Sequence, residues 1–73
     1  SLASPQRARI LEIGCGTGGH LLPLAVTYPS ATFVGIDLST IQIERARAAA
    51  SRAQLSNISF EITSIEDFAA SCE

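Results

Sequence analysis

Between residues 12 and 19 the chain reads Glu-Ile-Gly-Cys-Gly-Thr-Gly-Gly, four glycines in eight positions. The loop follows a short run rich in Ile and Leu, Ala8-Arg9-Ile10-Leu11-Glu12-Ile13-Gly14. An apolar run of that length stopped by glycine reads as a buried strand. The residues after the loop, His20 to Tyr28, set Leu21, Leu24, Ala25 and Tyr28 at helical spacing. Pro23 is tolerated only in the first turn, so the helix starts near Gly19–Leu22, and Pro29 ends it. A strand, a tight glycine loop and a helix in succession leave few folds open. The rest of the chain repeats the alternation.

Ala31-Thr32-Phe33-Val34-Gly35-Ile36-Asp37 is β-branched and aromatic, a second strand. Ser39-Thr40-Ile41-Gln42 fits a capping box, with Ser39 as N-cap and Gln42 reaching back. A helix rich in Ala, Arg, Gln and Glu then runs to about Leu55, with Ile43, Ala46, Ala50 and Ala53 on one face. Asn57 is a turn residue. Ile58 to Thr63 alternates apolar and polar residues as a third strand, and Ser64 to Phe68 reads as a polar loop or first helical turn. The order β-α-β-α-β predicts an α/β fold, a parallel sheet with flanking helices and right-handed connections. Residues 1–73 form a single partial domain: a lead-in over 1–8, the motif-bearing part over 9–68 and a tail over 69–73.

Composition narrows the function classes. Five Arg and no Lys stand against seven Asp/Glu, a formal charge of −2, which gives no basic stripe for nucleic acid. No apolar run approaches the roughly 20 residues that span a bilayer. Cys15 and Cys72 are too few for a disulfide framework, which points to a reducing, cytoplasmic setting.

The glycine loop feeds a helix N-terminus, where free amides favour an anionic group and glycine lets backbone approach a ligand closely. Asp37 ends the second strand 19 residues past Gly18, where a carboxylate can accept both hydroxyls of a ribose. Adjacent parallel strands bring loop and acid to one sheet edge, describing a nucleoside-type ligand across the strand ends. Gly14, Gly16 and Gly19 also satisfy the dinucleotide pattern G-x-G-x-x-G. Two details point elsewhere. Glu12 would repel a pyrophosphate but suits an ammonium group, and Gly18 completes a strict Glu-x-Gly-x-Gly-x-Gly alternation.

Ile10 to Gly19 resembles the first motif of class I S-adenosylmethionine-dependent methyltransferases, and Phe33-Val34-Gly35-Ile36-Asp37-Leu38-Ser39 resembles their second, acidic motif. Asn57 to Phe68 is similar to the third. The resemblance covers roughly Arg9 to Phe68 and implies S-adenosylmethionine as cofactor. It implies that Gly14, Gly16 and Gly18, with Cys15 among them, line the methionine and ribose. Glu12 would attract the methionine ammonium, Asp37 hold the ribose hydroxyls and Leu38 pack on the adenine face. Ile65 would offer its amide and side chain to the adenine. Ser64 departs from the family, which often carries Asp there to accept from the adenine amino group. The family's strand order sets strands three, two, one and four side by side. The resemblance implies a Rossmann-like sheet, truncated here after its third strand, so the first strand is expected to have an open edge, prone to self-association. The isolated chain is then expected to be inactive, with S-adenosylmethionine or S-adenosylhomocysteine as partner and a methyl acceptor that no residue identifies.

Two other readings stand beside this one. The chain is a non-catalytic remnant or interaction module that keeps the nucleotide-binding loop, or a fragment of a NAD(P)-binding Rossmann oxidoreductase. No catalytic residue and no metal site is assigned. Cys15 reads as a small buried loop residue, and His20 as solvent-facing at a helix start. Glu66 and Asp67 read as the charges of a barely begun helix, and Arg45, Arg47 and Arg52 as a solvated face, pairing with Glu44.

Overall fold

A computed structural model of the chain describes residues 8–72; most of the expected lead-in lies outside them. The elements are β1 (Arg9–Ile13), α1 (Leu21–Thr27), β2 (Thr32–Asp37), α2 (Thr40–Arg52), β3 (Ile58–Ile62) and α3 (Ile65–Ser71). The strands form one parallel sheet in the order β1-β2-β3. The register aligns Ile10 with Phe33 and Ile58, and Glu12 with Gly35 and Phe60. Successive side chains point to opposite faces, so these six share one face, and helices α1 and α2 pack on it. The core there joins Leu21 and Ala25 of α1, Ile43, Ala46 and Ala50 of α2, and Phe33 and Phe60 of the sheet. The small residues of α2 let that helix lie close to the strands.

Pro23 falls in the first turn of α1, where its missing N–H costs nothing. The far end of α1 is held by Asn57, whose side-chain amide donates to the carbonyls of Ala25, Tyr28 and Ala31 at 3.0, 3.1 and 3.2 Å. One side chain thereby satisfies the end of a helix, a turn and the start of β2.

Helix α2 stops at Arg52, short of Leu55, and Ala53 is its exposed C-cap rather than part of the buried face. The stop is a Schellman motif. Gln54 takes φ 56°, Leu55 N donates to Ala50 O at 3.0 Å and Gln54 N to Ser51 O at 3.0 Å. Arg47 is not simply solvated. Its Nε and Nη2 donate to Phe60 O at 3.1 and 2.7 Å. That carbonyl faces away from β2, so the guanidinium caps the outer edge of the sheet. Among the described residues, Glu44 forms no ion pair with these arginines. Helix α3 is more than a first turn. Ser64 Oγ accepts from Asp67 N at 3.0 Å, Glu66 and Asp67 complement the helix N-terminus, and the helix continues to Ser71, through residues read as a tail.

The opposite edge differs. Backbone groups of Ala8 and Gly14 face β2, through Thr32 N to Ala8 O and Gly14 N to Ile36 O. By alternation, those of Arg9, Leu11 and Ile13 point outward. Leu11 and Ile13 are 40 % and 61 % exposed.

Candidate functional site: a glycine loop between two acids

The loop after β1 is pinned to the end of β2. Gly14 N and Cys15 N both donate to Ile36 O, at 2.8 and 3.0 Å. Gly14, Gly16 and Gly18 all take positive φ, 70°, 58° and 85°, whereas Gly19 does not. The backbone therefore demands glycine at the alternating positions, not at the last position of the dinucleotide pattern. Gly35, which sequence reasoning passed over, makes the closure possible. A Cβ there would sit 2.8 Å from both Cys15 Sγ and Phe60 Cδ1. A glycine inside a strand is the signal that could have found it.

Asp37 ties the loop to the second strand. Its Oδ2 accepts from Gly16 N at 3.0 Å and its Oδ1 from Ser39 N at 2.9 Å. Those two backbone donors, Ser39 first, hold its carboxyl below the usual aspartate value. The Ser39 bond also corrects the capping box. Ser39 Oγ accepts from Gln42 N at 3.3 Å as expected, but Ser39 N is taken by the charged carboxylate two residues before it, not by the Gln42 side chain. An ionised acceptor already placed by the turn outcompetes a neutral amide.

Glu12 stands on the other side of the loop. Its Oε2 accepts from His20 Nδ1 at 3.1 Å, while its Oε1 is buried without a hydrogen-bond partner. His20 is itself solvent-facing, its side chain 89 % exposed, and it precedes α1 without capping it through its side chain. Cys15 is buried. Burial pushes its thiol up, and the nearby charges of Asp37 and Glu12 push the same way, so it is no ready nucleophile.

Two clefts flank Gly14. One, of about 290 Å³, is lined by Asp37, Leu38, Ser64 and Ile65, with Ile13 and Glu66 at its sides. The other, of about 360 Å³, is lined by Glu12, Cys15, Gly16, Thr17, His20 and Gln42. Gly14 borders both. Gly18 borders neither and is buried against Leu22 and Phe60 beneath the loop. Ser64 serves two purposes, lining the first cleft and capping α3. His20 and Gln42 are cleft residues that the sequence did not reveal as such. Among the described residues, no three His, Cys, Asp or Glu side chains gather to hold a metal.

A family model described as a methyltransferase domain matches residues 5–73. The chain belongs to that family. An uncharacterized protein of Rickettsia prowazekii is 48 % identical over 62 residues, covering 85 % of this chain and 11 % of that protein. A tRNA (guanine-N(7)-)-methyltransferase of Rubrobacter xylanophilus is 42 % identical over 59 residues, 81 % of this chain and 26 % of the enzyme. In structure, the chain superposes on PKMT2 from Rickettsia typhi, solved in complex with AdoHcy, with a TM-score of 0.83 and 40 % identity. That match covers 89 % of this chain and 13 % of PKMT2. The chain thus spans about a tenth to a quarter of the length of these relatives. The oxidoreductase reading is not favoured.

Proposed function

We propose that the chain is the S-adenosylmethionine-binding part of a methyltransferase. The observation that carries this reading is the buried, unpartnered Oε1 of Glu12 beside the glycine loop. An unsatisfied carboxylate oxygen calls for a donor, and a cation satisfies it best. It also opposes the pyrophosphate of a dinucleotide. Glu12 would receive the ammonium of the methionine end, and the backbone of Gly14 and Gly16 would let ligand atoms come close. Asp37, with lone pairs left on both oxygens, would accept from ribose hydroxyls while it holds the loop closed. Leu38, 74 % exposed beside the first cleft, gives an adenine ring an apolar face, and Ile65 lies across from it. Ser64 Oγ would accept from the adenine amino group only alongside its bond from Asp67 N. Bound there, S-adenosylmethionine would supply a methyl group on a sulfonium centre. The protein's work is then to position that group for in-line transfer to an acceptor.

An amide proton–nitrogen NMR titration with S-adenosylhomocysteine tests the reading. Saturable shifts at Gly14, Gly16, Asp37 and Ile65 are expected. Tighter binding of a nicotinamide dinucleotide would overturn it in favour of an oxidoreductase fragment.

On its own the 73-residue chain is expected to bind without turning over. The imidazole beside the clefts, His20, is engaged by Glu12. The outward backbone of β1, with exposed Leu11 and Ile13, supports self-association along that edge. Sedimentation that depends on concentration supports this, whereas a monomer melting cooperatively well above room temperature contradicts it. The free Cys15 and Cys72 fit a reducing, cytoplasmic setting, and no described helix is long and apolar enough to cross a membrane.

A further inference from the structure

The second cleft contains a contact that neither the fold nor the glycine loop requires. His20, at the start of α1, reaches eight residues back to Glu12 on β1 and holds Oε2 at 3.1 Å. The other oxygen of the same carboxylate is buried and unpartnered. A carboxylate fixed at one oxygen has lost the freedom to rotate the second away. The histidine is mostly in solvent, so it adds little to the core, and its side chain caps no helix. From these facts we infer that His20 is a positioning residue, clamping Glu12 so that its free oxygen meets the ammonium end of an amino-acid-bearing nucleoside. The inference rests on the S-adenosylmethionine reading of the site and adds a residue to it.

Glu12 is the acid that lines this cleft. Glu12 is the carboxylate that faces His20 from β1. Cys15 in the loop holds a neutral thiol, pushed up by burial. Asp37, at the end of β2, has both oxygens engaged by Gly16 and Ser39. Helix α2 contributes the uncharged Gln42, and the first turn of α1 has no acid. A neutral imidazole donates one hydrogen bond to Glu12 and leaves its negative charge for the ligand.

The test compares two probes by calorimetry on the 73-residue chain. S-adenosylhomocysteine carries the amino-acid end, and 5′-methylthioadenosine lacks it. The wild type should prefer the former. His20→Ala should cut the preference about fivefold and leave 5′-methylthioadenosine binding unchanged. His20→Asn keeps an N–H donor near the Nδ1 position. It should restore the preference. Unchanged binding of 5′-methylthioadenosine also shows that each variant is folded. If the wild type prefers S-adenosylhomocysteine and His20→Ala does too, undiminished, the positioning role is overturned and the cofactor reading survives. A failure of His20→Asn to rescue overturns it as well. If the wild type binds neither probe, the cofactor reading falls, and this inference with it.

Discussion

Asp37 and Glu12 are both carboxylates at the carboxyl end of the sheet, one on each side of the glycine loop, yet the fold treats them in opposite ways. Asp37 is engaged within the protein at both oxygens, each accepting a backbone amide from a different segment. Glu12 is half-employed, one oxygen held by a side chain and the other left buried and empty-handed. One acid builds the site, and the other waits in it. The difference teaches that an acid's role is read from what remains unsatisfied, not from its position beside a motif. Asp37 also closes the turn before Ser39 and keeps lone pairs on both oxygens.

The contrast can be broken most severely from below. Gly35→Ala places a methyl 2.8 Å from Cys15 Sγ and Phe60 Cδ1, with buried atoms on both sides. It should cost about 1–3 kcal/mol in urea unfolding and shift the amide resonances beside both acids. Asp37→Asn should come next. It weakens the bonds to Gly16 N and Ser39 N, lowers the melting temperature and loosens the loop. The depressed carboxyl fixes the sign with pH. Asp37 stabilises the fold above the ordinary aspartate range, and that contribution disappears as pH falls through its lowered value. The acid limb of the melting temperature should therefore flatten in the variant. Glu12→Gln should do the reverse, leaving the melting temperature almost unmoved while S-adenosylhomocysteine binding weakens about tenfold in calorimetry. If Glu12→Gln unfolds the chain as readily as Asp37→Asn, the division of labour between the acids is wrong. The smallest effect sets the scale. Gln54→Gly, far from both acids in sequence, relieves a side chain from φ 56° and should raise stability by about 0.5–1 kcal/mol with no change in binding.

Local patterns made most of the scaffold legible. The three strands follow from Ile- and Val-rich runs stopped by turn residues, the loop from its glycines and the start of α1 from Pro23. Helix α3 was legible only as a first turn; Ser64 caps it as Ser39 caps α2, and reading Ser64 as a ligand position obscured that role. What escaped were side-chain bonds between segments distant along the chain: Asn57 to α1, Arg47 to the β3 edge and His20 to Glu12. Each depends on the packing of whole elements, and a linear pattern carries no trace of it. Gln42 shows the same limit in miniature. Its box motif was correct, but a charged neighbour took the backbone donor that its side chain was expected to meet.

Asn57 has a consequence for how the molecule comes into being. Its amide is the side-chain donor for the carbonyls of Ala25, Tyr28 and Ala31, which lie 32, 29 and 26 residues earlier. A ribosome extends the chain from its N-terminus, so those carbonyls emerge first, and of the three Tyr28 O also has a backbone donor in Ala31 N. The end of α1 remote from the glycine loop therefore gains its side-chain donor only when the residue just before the third strand has been made.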